Sequence, residues 1–182
     1  MSHRMPNLHS IIRRIPSPIK QMVKEQLYPK LLLESSEAPE WQLQSHDGSW
    51  HRMKQKRWSL MIFYPGDDTP GCTKQLQDAQ AHLEELNGLG CDVYAINPAD
   101  QTSHAAFAEK YGFEFPILTD RGGAVSRQFA STFSIPLKTW VIRTVYLVNP
   151  KRTIRLANRG APATAAIVRS IQALQQATKD GL

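Results

Sequence analysis

The chain has only two cysteines, Cys72 and Cys91, among 182 residues. That is too few for a disulfide framework, and a reducing compartment is the default for such a chain. The spacing of the pair fits no zinc site, and the six histidines are scattered without an HxxxH or HExxH grouping. No metal and no other cofactor is therefore expected. No apolar run reaches signal-peptide length, and none approaches the ~20 residues of a membrane span, so no membrane partner is expected. Acidic residues are missing from residues 1–24, which hold five Lys/Arg and three Ser. That composition suits an organelle transit peptide, and the alternative is a basic extension that docks or stays solvated, the helical spacing of Ile19, Met22, Val23 and Leu27 favouring docking. The expected location is cytoplasmic, or organellar if residues 1–24 are a transit peptide.

The net charge of +6 is unevenly spread, with +4 in residues 1–35 and +2 in the remainder. The high pI thus owes much to the extension, and no nucleic-acid partner is expected. Hydrophobic residues at 41% and charged residues at 21% are ordinary for a globular chain. Length supports one domain, residues 36–182, behind an extension, residues 1–35, with Glu34 to Glu40 as the linker.

What is present centres on residues 58–73. Trp58 to Tyr64 is apolar or aromatic except for Ser59, the pattern of a strand buried on both faces. Pro65, Gly66, Asp67 and Asp68 end it, and Thr69-Pro70 starts a helix with Thr at the N-cap and Pro at the first helical position. Cys72 becomes the third helical residue. Unpartnered amides and the positive end of the helix dipole favour an anion there, which predicts a thiol more acidic than the free value of about 8.5. Thr69 is placed to accept from the Cys72 amide while turning its hydroxyl toward the sulfur or a bound oxygen. A free cysteine is commonly an inert core residue. The convergence of strand, turn and helix start on this one argues for a nucleophile.

Pro65-x-x-x-Thr69-x-x-Cys72 matches the active-site pattern of peroxiredoxins. Phe63 to Thr73 resembles the bacterioferritin comigratory protein, or PrxQ, branch, and the resemblance extends from Ala38-Pro39 through Phe115 to Asp120 and on to Arg143. It implies a thiol peroxidase acting on hydrogen peroxide and organic hydroperoxides. Cys72 is then the attacking thiolate, Thr69 the hydroxyl partner of sulfur and peroxide, Pro65 a lid against water, and Arg143 the cation beside both. Tyr64 lines the pocket or simply packs at the strand end, and Trp41, Trp58 and Trp140 are read as packing residues.

The sequence departs from the branch where a resolving cysteine often stands, because that position is Gln77, and Ser103 to Tyr111 holds no cysteine either. Cys91 reads as a small core residue. The expectation is a one-Cys enzyme recycled by an external thiol, namely thioredoxin, glutaredoxin or a low-molecular-weight thiol, acting as a monomer or weak homodimer. Two other readings stay open. One is a non-enzymatic redox sensor or holdase; the other is a thioredoxin-like exchange protein, although Thr69 stands where Cys-x-x-Cys would begin.

Around the motif, Trp41 to Leu43 and Trp50 to Met53 form a hairpin about Asp47-Gly48. One helix carries Leu76, Ala79, Leu83 and Leu86 as far as Gly88-Leu89-Gly90, and Cys91 to Asn97 is a strand. Ser103 to Tyr111 is a helix stopped by Gly112, and Phe115 to Leu118 leads through Gly122-Gly123 to a short helix with Val125 and Phe129. Ile142 to Val148 and Thr153 to Leu156 pair as a hairpin, and a helix over 163–178 turns Ala166, Ile167, Ser170, Ile171 and Leu174 inward. This order predicts an α/β, thioredoxin-like fold, a central mixed sheet flanked by helices behind an N-terminal extension.

Overall fold

A computed structural model describes residues 28–135 and 138–180. The expectations for residues 1–24, and for the helical spacing that begins at Ile19, fall almost wholly outside them. Leu31–Leu182 forms one compact unit.

Its strands run β1 Leu43–Ser45, β2 Trp50–His51, β3 Trp58–Phe63, β4 Cys91–Asn97, β5 Ile117–Thr119, β6 Thr132–Ile135, β7 Lys138–Val141, β8 Thr144–Val148 and β9 Ile154–Arg159. The helices are α1 Pro70–Ala81, α2 Leu83–Gly88, α3 Gln101–Tyr111, α4 Ala124–Gln128 and α5 Thr164–Lys179. Seven strands form one mixed sheet in the order β2-β1-β5-β4-β3-β8-β9. The strand β3 is parallel to β4 and antiparallel to β8, so it sits inside the sheet. All six of its residues are buried, as a strand covered on both faces requires.

Alternation along β3 divides the core. Leu60 and Ile62 pack with Leu76 and Ala79 of α1, Phe107 of α3 and Ile167 and Ile171 of α5. Met61 and Phe63 pack on the opposite face with Ile96, Val125, Phe129 and Tyr146. The fold is thus thioredoxin-like, a mixed sheet flanked by helices.

Three features differ from the sequence reading. The single helix expected after Cys72 is two, broken at His82 (φ −108°, ψ 9°). There the His82 Nδ1 lies 2.8 Å from the Asp78 carbonyl, and the His82 amide turns to Ala79 instead. A side chain has taken the acceptor that helix continuation needs. The sequence reading has no hairpin of β6 and β7, each only four residues long; Phe133 and Trp140 stack across it at 5.7 Å. The stretch read as a linker is held instead. The Ser35 amide donates to Ile154, the Ala38 amide donates to Arg152, and Ala38 is buried.

Candidate active site

The register of β3 and β8 builds the site. Phe63 pairs with Thr144, so Arg143 stands one residue beyond the pairing, level with the end of β3 where the chain turns toward Cys72. The Arg143 carbonyl accepts from the Gly160 amide at 2.9 Å, and the Ile142 amide donates to Ser131 at 2.7 Å. These bonds hold the main chain of Arg143 and aim its side chain across the start of α1.

Arg143 Nη2 donates to Cys72 Sγ at 3.3 Å. Its Nη1 donates to the Gly71 carbonyl at 3.0 Å and to Gln75 Oε1 at 2.6 Å. Three acceptors around one planar group fix its orientation, and the two protein oxygens are neutral, so the charge is left to act on the sulfur. A cation at this distance stabilises negative charge that develops on the sulfur. Cys72 is 1% exposed, enclosed by the core that contains Tyr64 and Leu76.

The helix start has the expected bounds, with Thr69 at the N-cap and Pro70 in the first turn, but the cap bond is absent. Thr69 Oγ1 donates back to the Gly66 carbonyl at 3.2 Å. The Cys72 amide donates to the Thr69 carbonyl at 3.0 Å, so it is not left over for the sulfur. The guanidinium rather than a free first-turn amide is the donor that meets Cys72 Sγ. Pro65 lies exposed at the head of the loop. Among the four expected site residues, then, Cys72 and Arg143 touch, Thr69 shares their turn with its hydroxyl directed elsewhere, and Pro65 is on the rim.

Sequence reasoning missed the residues beneath this loop. Asp67 Oδ1 accepts from Tyr64 Oη and from Asn97 Nδ2, each at 2.7 Å. Its Oδ2 accepts from Ser103 Oγ at 2.6 Å and faces His104 Nδ1 at 2.8 Å. Burial pushes the Asp67 carboxyl up, but the bonds from His104, Ser103 and Tyr64 outweigh it and hold it at about 2. Tyr64 is raised well above its ordinary value, first by burial and then by Asp67, and stays a neutral donor. The next residue, Asp68, accepts from Lys110 Nζ and Tyr111 Oη on the same helix. The local cue was the Asp67-Asp68 pair, but all of its partners except Tyr64 lie thirty or more residues away.

Cys91 is fully buried at the head of β4, and burial pushes its thiol up to about 12. Its register partner is Trp58, at the opposite end of β3 from Tyr64.

Comparison with known proteins gives the family of the chain. The AhpC/TSA family matches residues 35–157. Chloroplastic peroxiredoxin Q of Populus jackii is 29% identical over 150 residues, covering 81% of this chain and 68% of the relative. Across the curated relatives the chain spans between about a third and two thirds of their length. The peroxiredoxin Q structure of Xanthomonas campestris is similar with a TM-score of 0.68 at 25% identity, over 73% of this chain and 90% of that one. A yeast mitochondrial 1-Cys peroxiredoxin shares the fold, with a TM-score of 0.73 at 22% identity over 83% of this chain and 80% of that one. The chain belongs to the AhpC/TSA family and is a peroxiredoxin, similar to the peroxiredoxin Q members and a thiol peroxidase by class.

Proposed function

We propose that this peroxiredoxin works with one cysteine, reducing hydrogen peroxide and organic hydroperoxides at Cys72 and relying on an outside thiol for recycling. The observation that carries the reading is the 3.3 Å contact of Arg143 with the Sγ of the buried Cys72. The sulfur of the thiolate bonds to one peroxide oxygen as the O–O bond breaks. The departing oxygen takes a proton and leaves as water or an alcohol, and Cys72 is left as a sulfenic acid. Arg143 donates to sulfur and to the oxygens on which charge gathers, so its attraction grows through the step. Thr69, exposed on the same turn, serves as the hydroxyl partner of the peroxide by rotating off Gly66, and Pro65 limits water at the rim.

The placement of the two cysteines in the sheet supports single-cysteine chemistry. Cys72 sits at the Tyr64 end of β3 and Cys91 at the Trp58 end. Six strand residues at ~3.3 Å each separate the two by about 20 Å, whereas a disulfide needs Cα atoms within about 7 Å. The Cys91 thiol is also too weakly acidic to attack. Recycling therefore falls to thioredoxin, glutaredoxin or a low-molecular-weight thiol in a reducing compartment. The chloroplastic placement of the plant relatives is compatible with an organelle as that compartment, beside the cytoplasm.

Peroxide consumption measured separately with thioredoxin, glutaredoxin and glutathione tests reaction class and reductant together. Turnover with at least one is expected. Mass spectrometry after one equivalent of peroxide should find Cys72 oxidised, and a Cys72–Cys91 bond within one chain would refute the one-cysteine reading.

A further inference from the structure

The buried carboxylate of Asp67 has no part in the chemistry described for Cys72, yet it gathers more hydrogen bonds than the sulfur does. Four donors from three elements meet it: Tyr64 at the end of β3, Asn97 at the end of β4, and Ser103 and His104 in α3. The side chains of His104 and Asp67 are 0% and 7% exposed. His104 Nε2 is buried with no hydrogen-bond partner among the described residues, so the one polar contact of the imidazole is with Asp67. Only Asp68 stands between this carboxylate and the N-cap Thr69, and Asp68 itself takes a left-handed conformation (φ 49°) that a side chain adopts at a cost. A strained link of this kind persists where its surroundings over-determine it. The loop that delivers Cys72 is thus fixed on one side by Asp67 and on the other by Arg143.

We propose that Asp67, oriented by His104, is a positioning residue that holds the Cys72 turn in register with Arg143. The proposal rests on Cys72 being the reacting sulfur. Charge and position act oppositely here. A carboxylate near the pocket disfavours a thiolate, so the positioning role requires the Arg143 contact to matter more to the sulfur than that negative charge does. The charged and titratable groups facing the loop are Tyr64 and His104 at Asp67, Lys110 and Tyr111 at Asp68, and Arg143 at Cys72.

The test uses Asp67→Asn, His104→Leu and His104→Asn in the full chain. In His104→Asn the amide Nδ2–H takes the place of the Nδ1–H donor, which His104→Leu cannot do. Folding is followed by circular dichroism, Cys72 thiolate by its ultraviolet absorbance at neutral pH, and reaction with hydrogen peroxide by stopped flow. Folded Asp67→Asn and His104→Leu should lose thiolate absorbance and react roughly tenfold or more slowly, while His104→Asn stays within about twofold of the parent. Parent-like thiolate and rates in folded Asp67→Asn and His104→Leu overturn the proposal, as does a loss in His104→Asn equal to that in His104→Leu. If Asp67→Asn does not fold, the two His104 variants decide. The thiolate reading involves no peroxide, so a parent inert to peroxide that still showed these losses would sink the peroxidase reading and leave this one standing.

Discussion

Arg143 reaches Cys72 from the position just before β8, seventy-one positions later in the chain, and its Nη2 lies 3.3 Å from the sulfur while Nη1 is divided between Gly71 and Gln75. Replacing it should therefore remove charge from the reaction without disturbing the core. Arg143→Met is expected to slow oxidation of Cys72 by hydrogen peroxide by about 10²–10³-fold, the scale of losing one donor to a developing anion. Stopped-flow fluorescence at equal folded fraction measures it, and a parent-like rate would mean that another group supplies the charge.

Gly71 gives a gentler perturbation. A Cβ added there would stand 3.1 Å from Arg143 Nη2, with no other side chain so close. The flexible guanidinium can yield by a few tenths of an ångström, so Gly71→Ala should leave the melting temperature nearly unchanged. Its rate with peroxide should nonetheless fall by roughly tenfold, since the group that yields is the one facing the sulfur.

Cys91 should be chemically silent in the native protein. With its thiol pushed up to about 12 and its side chain fully buried, iodoacetamide at pH 8 should modify Cys72 alone. Peptide mapping reads the result, and Cys91→Ala should keep peroxidase turnover within about twofold of the parent.

Asp67 makes a prediction about acid. Its carboxyl is lowered from the ordinary 3.8 to about 2 in the folded chain. A depressed group stabilises the fold fully above its unfolded value, and that stabilisation disappears as pH falls from about 4 toward about 2. The difference amounts to about 2 kcal/mol for this buried group. Urea unfolding at pH 6 and pH 2.5 should show a drop that Asp67→Asn lacks in part. Asp47, also held at about 2 by Ser45 and Ser49, lies at the surface and titrates equally in both proteins, so the comparison cancels it.

How much of this was legible in the sequence follows from the range of each interaction. The strands β3 and β4 and the starts of α1 and α5 carry their signals within a few residues, as apolar runs, turn residues and a Thr-Pro pair. Arg143 was reachable only because a spaced motif implied a cation on a later strand. The direction of the Thr69 hydroxyl and the break at His82 each turn on one local competition for a carbonyl or an amide. Composition does not encode the winner. The Asp67 network could not be read at all, since Asn97, Ser103 and His104 meet it only after β4 and α3 are packed.

The central claim is that the Arg143 guanidinium beside Cys72 Sγ equips this one buried sulfur for attack on peroxide. Thiolate absorbance at pH 7 tests it most directly, because Cys91, at about 12, contributes nothing there. The parent should show a signal that Cys72→Ser abolishes and Arg143→Met sharply reduces. A folded parent without that signal, or an Arg143→Met protein that retains it in full, would contradict the account.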